Sequence, residues 1–161
     1  MYYKLGLNEP RPGSIAMRFG SYLKAAELPP VPHAFGRPWL VRGQWGMLGN
    51  DQEGDCFWAG ACHESMMLHA DAGSNIPMFT TRTAFHDYHE ATGTSEDVGT
   101  DLLDGLHYRQ KHGITDALGA RHKIDFYAEL TPGDLHALDL AVYLFGAAGI
   151  GIQLPDSAEQ Q

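Results

Sequence analysis

Gly54-Asp55-Cys56-Phe57-Trp58-Ala59-Gly60 decides how the rest of the chain is read. It places a cysteine at the first turn of an apolar helix, directly after a loop rich in Gly, Asn, Asp and Gln. A thiolate there faces the positive end of the helix and backbone N–H groups without partners, which lower its pKa and stabilise an oxyanion nearby. The plain alternative is a buried, inert thiol, the usual state of a free cysteine. Phe57, Trp58, Ala61, Met66, Met67 and Leu68 make the stretch 57–70 the central helix, which Gly73 stops. Cys62 falls in the same helix, where six residues at 1.5 Å rise separate its Cα from that of Cys56 by ~9 Å. A disulfide needs less than about 7 Å, so both thiols are expected to be free.

Upstream, residues 1–50 hold Pro10, Pro12, Pro29, Pro30, Pro32 and Pro38, with no apolar period long enough for a long helix. This part is expected to be an extended arm with a short helical turn near residues 18–26. Its Phe35, Trp39, Trp45, Met47 and Leu48 favour an arm lying across a surface over a free one. The remainder, 51–161, is the folded domain.

Downstream, Thr80 or Thr81 caps a short helix through Phe85, Tyr88 and Ala91 that ends at Gly93. Thr100 is the expected cap of the next helix. Asp101 and Asp104 stand in its first turn, Leu102, Leu103 and Leu106 form its apolar stripe, and Arg109, Lys111 and His112 precede Gly113. Both ends complement the helix dipole. The segment 122–130 reads as extended, and Thr131-Pro132 opens a last helix with Leu135, Leu138, Val142 and Phe145 on one face and Gly146 at its end. Ala147-Ala148-Gly149-Ile150-Gly151-Ile152-Gln153-Leu154 has the character of a buried strand.

Three of these stretches together resemble the papain-like cysteine proteases. Trp45-Gly46-Met47-Leu48-Gly49-Asn50-Asp51-Gln52-Glu53-Gly54-Asp55-Cys56-Phe57-Trp58-Ala59 is similar to the glutamine loop, cysteine, aromatic and helix that build their active site. Val98-Gly99-Thr100-Asp101 through Lys111-His112-Gly113-Ile114 is similar to an element of bacterial and phage members, and 135–154 resembles the helix and first β-lobe strand of that fold. The wording around Cys56 is most like a phage and prophage branch. The resemblance covers roughly residues 29–154. It implies an α+β fold, namely the papain-like helical lobe with the start of the β-lobe, with Cys56 as the nucleophile and Trp58 as a binding residue.

The pattern departs from the family in two places. The family's oxyanion glutamine lies six positions before the nucleophile, where this chain has Asn50, while Gln52 lies four before. Either amide can donate to an oxyanion, and both can equally be turn residues. The family's catalytic histidine and its Asn or Asp follow the cysteine by more than a hundred residues, and nothing up to Gln161 matches them. His63 shares the helix face of Cys56 but lies ~10 Å along the axis, too far for a general base. His69, His107, His112, His122 and His136 have no spacing that brings them near Cys56.

With 9 histidines and 2 cysteines, metal binding needs a separate weighing. His86-Asp87-Tyr88-His89 puts two imidazoles on one helical face, and Cys62-His63-Glu64 clusters donors. No Cys-x-x-Cys occurs, and His63-Glu64 lacks the histidine that a zinc-protease helix requires. No metal and no cofactor are expected. The glycines at 146, 149 and 151 leave a helix rather than enter one, the reverse of a phosphate loop. Asp101, Asp104, Glu90, Glu96 and Asp97 read as a solvated face and helix caps.

The 161 residues are 43% hydrophobic and 19% charged, which suits one packed domain. A formal charge of −9 argues against a nucleic-acid surface, and no apolar run approaches the ~20 residues that span a bilayer. The N-terminus lacks the apolar stretch of a signal peptide, so a soluble protein made in the cytoplasm is expected. Two functions from different classes follow. One is amide hydrolysis through Cys56, with the histidine supplied from elsewhere. The other is a non-catalytic phage assembly protein that uses the protease-like core as a scaffold. It would bind protein partners, as a homo-oligomer or within a virion, through the strand Ala147–Leu154 and the N-terminal arm.

Overall fold

The structure, a computed structural model, describes residues 8, 11, 17–24 and 28–151. Among these residues, four α-helices and one small sheet follow one another in the order α1 (Cys56–Asp71), α2 (Thr81–Thr92), α3 (Leu102–Lys111), β1 (Ile114–Thr115), β2 (Arg121–His122) and α4 (Leu135–Phe145). This is a mixed α+β architecture. Among the described residues no helix is long and apolar enough to cross a membrane.

Helix α1 is the axis of the fold because its sequence contains no proline and no β-branched residue to oppose helix formation. Trp58, Ala61, Cys62, Ser65 and Met66 recur at helical spacing and are buried. Around them pack Val41, Leu48, Phe79, Ala84, Tyr88, Tyr108 and Ile114. Val41 comes from a 3-10 turn at Pro38–Val41, so the chain before residue 50 contributes to the core as well as lying over it. Helix α2 starts where expected, with Thr80 and Thr83 forming a reciprocal capping box and Gly93 closing the far end at φ 70.

The sheet is a two-residue antiparallel hairpin that pairs Ile114 with His122 and Thr115 with Arg121. The extended segment read at 122–130 is therefore strand only at its first residue, although Glu129 bonds to the arm. Phe19 N–H donates to the Glu129 carbonyl and Glu129 N–H to the Met17 carbonyl, each at 2.9 Å. Phe19 begins a 3-10 turn at Phe19–Ser21, a shorter structure than the helical turn expected over 18–26, of which 25 and 26 lie outside the described residues. Phe19 joins Leu140 and Ala141 of α4 in a second apolar cluster with Leu23, Leu28, Val31 and Leu130.

Three expectations are corrected. Helix α3 is capped by Asp101, whose carboxylate accepts from Leu103 N–H and Asp104 N–H, and the Thr100 hydroxyl instead accepts the Trp58 indole N–H. Helix α4 is capped by Asp134 rather than opened by Thr131-Pro132, which form the turn before it. Residues 147–151 form no strand, and Ile150 is 64% exposed. Glycines at 146, 149 and 151 weaken a strand, and none of the described residues supplies it with a partner. Ile152, Gln153 and Leu154 lie outside the described residues.

Candidate functional site at the N-terminus of helix α1

Cys56 is the first residue of α1 and is partly exposed, whereas Cys62, two turns on, is buried; both thiols are free. Burial, with Asp87 and Asp55 adding to it against Arg109, pushes the Cys62 thiol far above its usual range. Only Cys56 can present sulfur to a substrate. The first helical bonds run from the N–H groups of Trp58 and Ala59 to the Asp55 carbonyl, at 2.8 and 3.0 Å. The Asp55 side chain makes no capping bond. Among the described residues, no acceptor meets the N–H of Cys56 or Phe57, so two donors remain at the positive end of a 16-residue helix.

The loop before Cys56 is held by its glycines. Leu48 at φ 55 and Gly49 at φ 103 fold back the chain, so that the N–H groups of Gln52 and Glu53 both donate to the Gly49 carbonyl, at 2.7 and 3.1 Å. A Cβ on Gly49 would lie 2.2 Å from the Phe85 ring, so only glycine lets this turn sit on α2. At its other end, Gly54 N–H donates to Asp97 at 3.0 Å. The same carboxylate oxygen accepts the Tyr88 hydroxyl at 2.9 Å, and that hydroxyl accepts Gly99 N–H at 2.6 Å. Burial, then the bond to Asp97, pushes the Tyr88 phenol up to about 12, so it stays a donor. Asp97 is thus a clamp between two loops rather than part of a solvated face.

Asn50 is partly buried and Gln52 exposed, and among the described residues neither side-chain amide makes a hydrogen bond. Both remain available as donors. Trp58 is completely enclosed, stacked edge-on with Phe57 and Tyr108, and its N–H is committed to Thr100. Its place is in the core, and in this conformation a ligand has no access to the ring.

Asp55 is the residue that sequence reasoning missed. It is 0% exposed, and both carboxylate oxygens lack a hydrogen-bond partner. Burial, followed by the fields of Glu53, Asp97 and Asp51, raises its pKa from 3.8 to about 7. The available signal was a third acidic side chain after Asp51 and Glu53, squeezed between Gly54 and the nucleophile position in an already acidic loop.

No histidine bonds to Cys56 among the described residues. His63 Nε2 meets the Trp45 and Gly46 carbonyls at 2.9 and 3.1 Å, His69 meets the Ser65 carbonyl, and His122 meets Asp116 at 3.0 Å. His89 faces the Thr94 carbonyl with one nitrogen and Glu53, at 3.0 Å, with the other. His86, Asp87 and Glu90 bring three metal-type donors within 4.8 Å of one another, and His86 and Glu90 line, with His89, an open cavity of about 480 Å³. Arg121 already occupies the place of a cation there, bonding Asp87 at 3.2 Å and Glu90 at 3.0 Å. Asp87 accepts from Thr115 N–H and its hydroxyl as well, at 2.5 and 2.7 Å, so this group is a structural tie between α2 and the hairpin. An aspartate on the buried stripe of α2, beside Ala84 and Tyr88, was the sign of it.

No family model, curated protein or solved structure matches the chain.

Proposed function

We propose that this chain is the nucleophile-bearing part of a papain-like cysteine hydrolase of phage or prophage type, cleaving amide bonds through a Cys56 thioester. One observation carries the reading: among the described residues, the partly exposed thiol stands at the N-terminus of the longest helix, beside N–H groups that no acceptor uses. The fold would then be the helical lobe of that family. Attack of the Cys56 thiolate on a carbonyl carbon forms the C–S bond and moves the carbonyl electrons onto oxygen. The Cys56 N–H and the amide of Asn50 or Gln52 would hold that oxyanion. A histidine from a missing segment or another chain would protonate the leaving amine and activate the water that releases the acyl group.

The test is an acyl-transfer trap with p-nitrophenyl acetate, read by intact mass and peptide mapping. The expected result is one acetyl thioester on Cys56, lost in Cys56→Ser, kept in Cys62→Ser and slowed in Asn50→Ala or Gln52→Ala. Acetylation of lysines alone would overturn the reading.

A second reading, a phage assembly protein without catalysis, made in the cytoplasm and carried into a virion, is favoured by a different observation. Phe126 packs edge-on against Phe145 of α4 while both stay exposed, and Leu135, Tyr143 and Leu144 of the same helix and Ile150 are exposed as well, Leu135 at 72%. Such side chains, together with the N-terminal arm, would bind protein neighbours or a second copy. Concentration-dependent mass in light scattering, abolished by Leu135→Glu with Phe145→Glu, is its expected signature.

A further inference from the structure

We propose that His69 and His122 form a binding site for a divalent transition-metal ion of the zinc class, joining the last turn of α1 to the hairpin. His69 stands in that last turn and His122 on β2, far apart in sequence. Their rings meet edge-on, with centroids 5.1 Å apart and planes at 84°. A tetrahedral ion with Zn–N distances of about 2.0–2.1 Å sets the centroids of two imidazole ligands roughly 5 Å apart. The pair therefore already has the separation that a shared ion needs.

Each ring is anchored through one nitrogen and open at the other. His69 Nδ1 lies 2.9 Å from the Ser65 carbonyl, and His122 Nε2 lies 3.0 Å from the Asp116 carboxylate. Carbonyls and carboxylates only accept, so these two nitrogens carry the ring N–H, and in the neutral rings His69 Nε2 and His122 Nδ1 keep their lone pairs. Among the described residues neither of these second nitrogens has a hydrogen-bond partner, and neither is closed off from solvent. Histidines that ligate metals are held in this way, one N–H given to a carboxylate or a backbone carbonyl and the other nitrogen turned to the ion.

The support behind the rings is rigid. Asp116 is buried, and its other oxygen accepts the N–H groups of Leu118 and Ala120, each at 2.9 Å. Phe79 packs edge-on against His122, with centroids 5.6 Å apart. The Asp116 carboxylate and the negative end of α1 both favour added positive charge here. Arg121, the residue before His122, directs its guanidinium to Asp87 and Glu90. Two imidazoles suit zinc, nickel or copper and not the oxygen-seeking calcium or magnesium, and they leave the other coordination positions to water or a bound ligand. The site shares no residue with the loop at Cys56 and stands whether or not the chain is a hydrolase.

The test is a titration of the nitrogen-labelled full chain with ZnCl₂ at about pH 7.5, where an ordinary imidazole is neutral, with the ring nitrogens read by proton–nitrogen correlation. The expected result is a joint shift of His69 Nε2 and His122 Nδ1 that saturates at one ion per chain and is absent with MgCl₂. In calorimetry His69→Ala and His122→Ala should each weaken Zn²⁺ binding at least about tenfold, while His86→Ala leaves it unchanged. A response at only one of the two rings, a response centred on His86, an equal response to MgCl₂, or none at millimolar ZnCl₂ would each overturn the site. The ring spectra decide on the unsubstituted chain even if a variant fails to fold.

Discussion

The Trp58 indole N–H donates to the Thr100 hydroxyl at 2.9 Å, in a place where both residues are closed to water. This bond joins the second turn-forming residue after the cysteine to the loop that leads into α3, and it fixes the roll of α1 about its axis.

Removing its acceptor tests how much the bond matters. Thr100→Val keeps shape and leaves a buried N–H without a partner, so it should cost about 1–3 kcal/mol in urea unfolding. Thr100→Ser should recover most of the loss.

Asp87 gathers the Thr115 N–H, the Thr115 hydroxyl and Arg121 onto one buried carboxylate. Asp87→Ala leaves these donors uncompensated and should destabilise by about 3–5 kcal/mol, read as a lowered Tm. Because the group ties the hairpin to α2 and makes no bond to the loop that leads into Cys56, Cys56 alkylation below the Tm should change little.

Gly49→Ala meets two obstacles at once, a φ of 103 and a Cβ 2.2 Å from the Phe85 ring. The expected cost is above about 2 kcal/mol. Phe85→Ala in the Gly49→Ala background should return part of it relative to the two single changes, and a double-mutant cycle measures that coupling.

Stability should depend on pH in two opposite windows. The pKa of Asp55 is raised by folding from 3.8 to about 7, so the folded state binds the extra proton and stability falls as pH rises between those values. Asp55→Asn should flatten this fall in unfolding experiments. Glu90 is held below its usual value by the Tyr108 hydroxyl and Arg121, so its contribution is full above the ordinary carboxylate range and is lost as pH drops through the lowered value. Glu90→Gln should soften the acid limb alone.

What could be read from sequence was whatever local chemistry dictates. The ends of α2 followed from Thr80 or Thr81 and from Gly93, and α1 followed from an apolar run with no proline. Where tertiary partners compete for a side chain, local rules misplaced it. Thr100 is a good cap by type, but a buried indole claims its hydroxyl and Asp101 caps in its stead. Glu90 and Asp97 resemble solvated carboxylates until Tyr108, Arg121, Tyr88 and Gly54 are seen to converge on them. At the site, the position of Cys56 at a helix start was legible, while the enclosure of Asp55 was not, because burial of a loop residue depends on what folds over it.

The most direct test of the account is the identity and pH dependence of the thiol that reacts. Native protein treated briefly with iodoacetamide, then digested and mapped, should carry the label on Cys56 already near about pH 6, with Cys62 protected until unfolding. Labelling of Cys56 only as pH approaches the ordinary thiol value of about 8.5 would contradict an activated nucleophile at the head of α1.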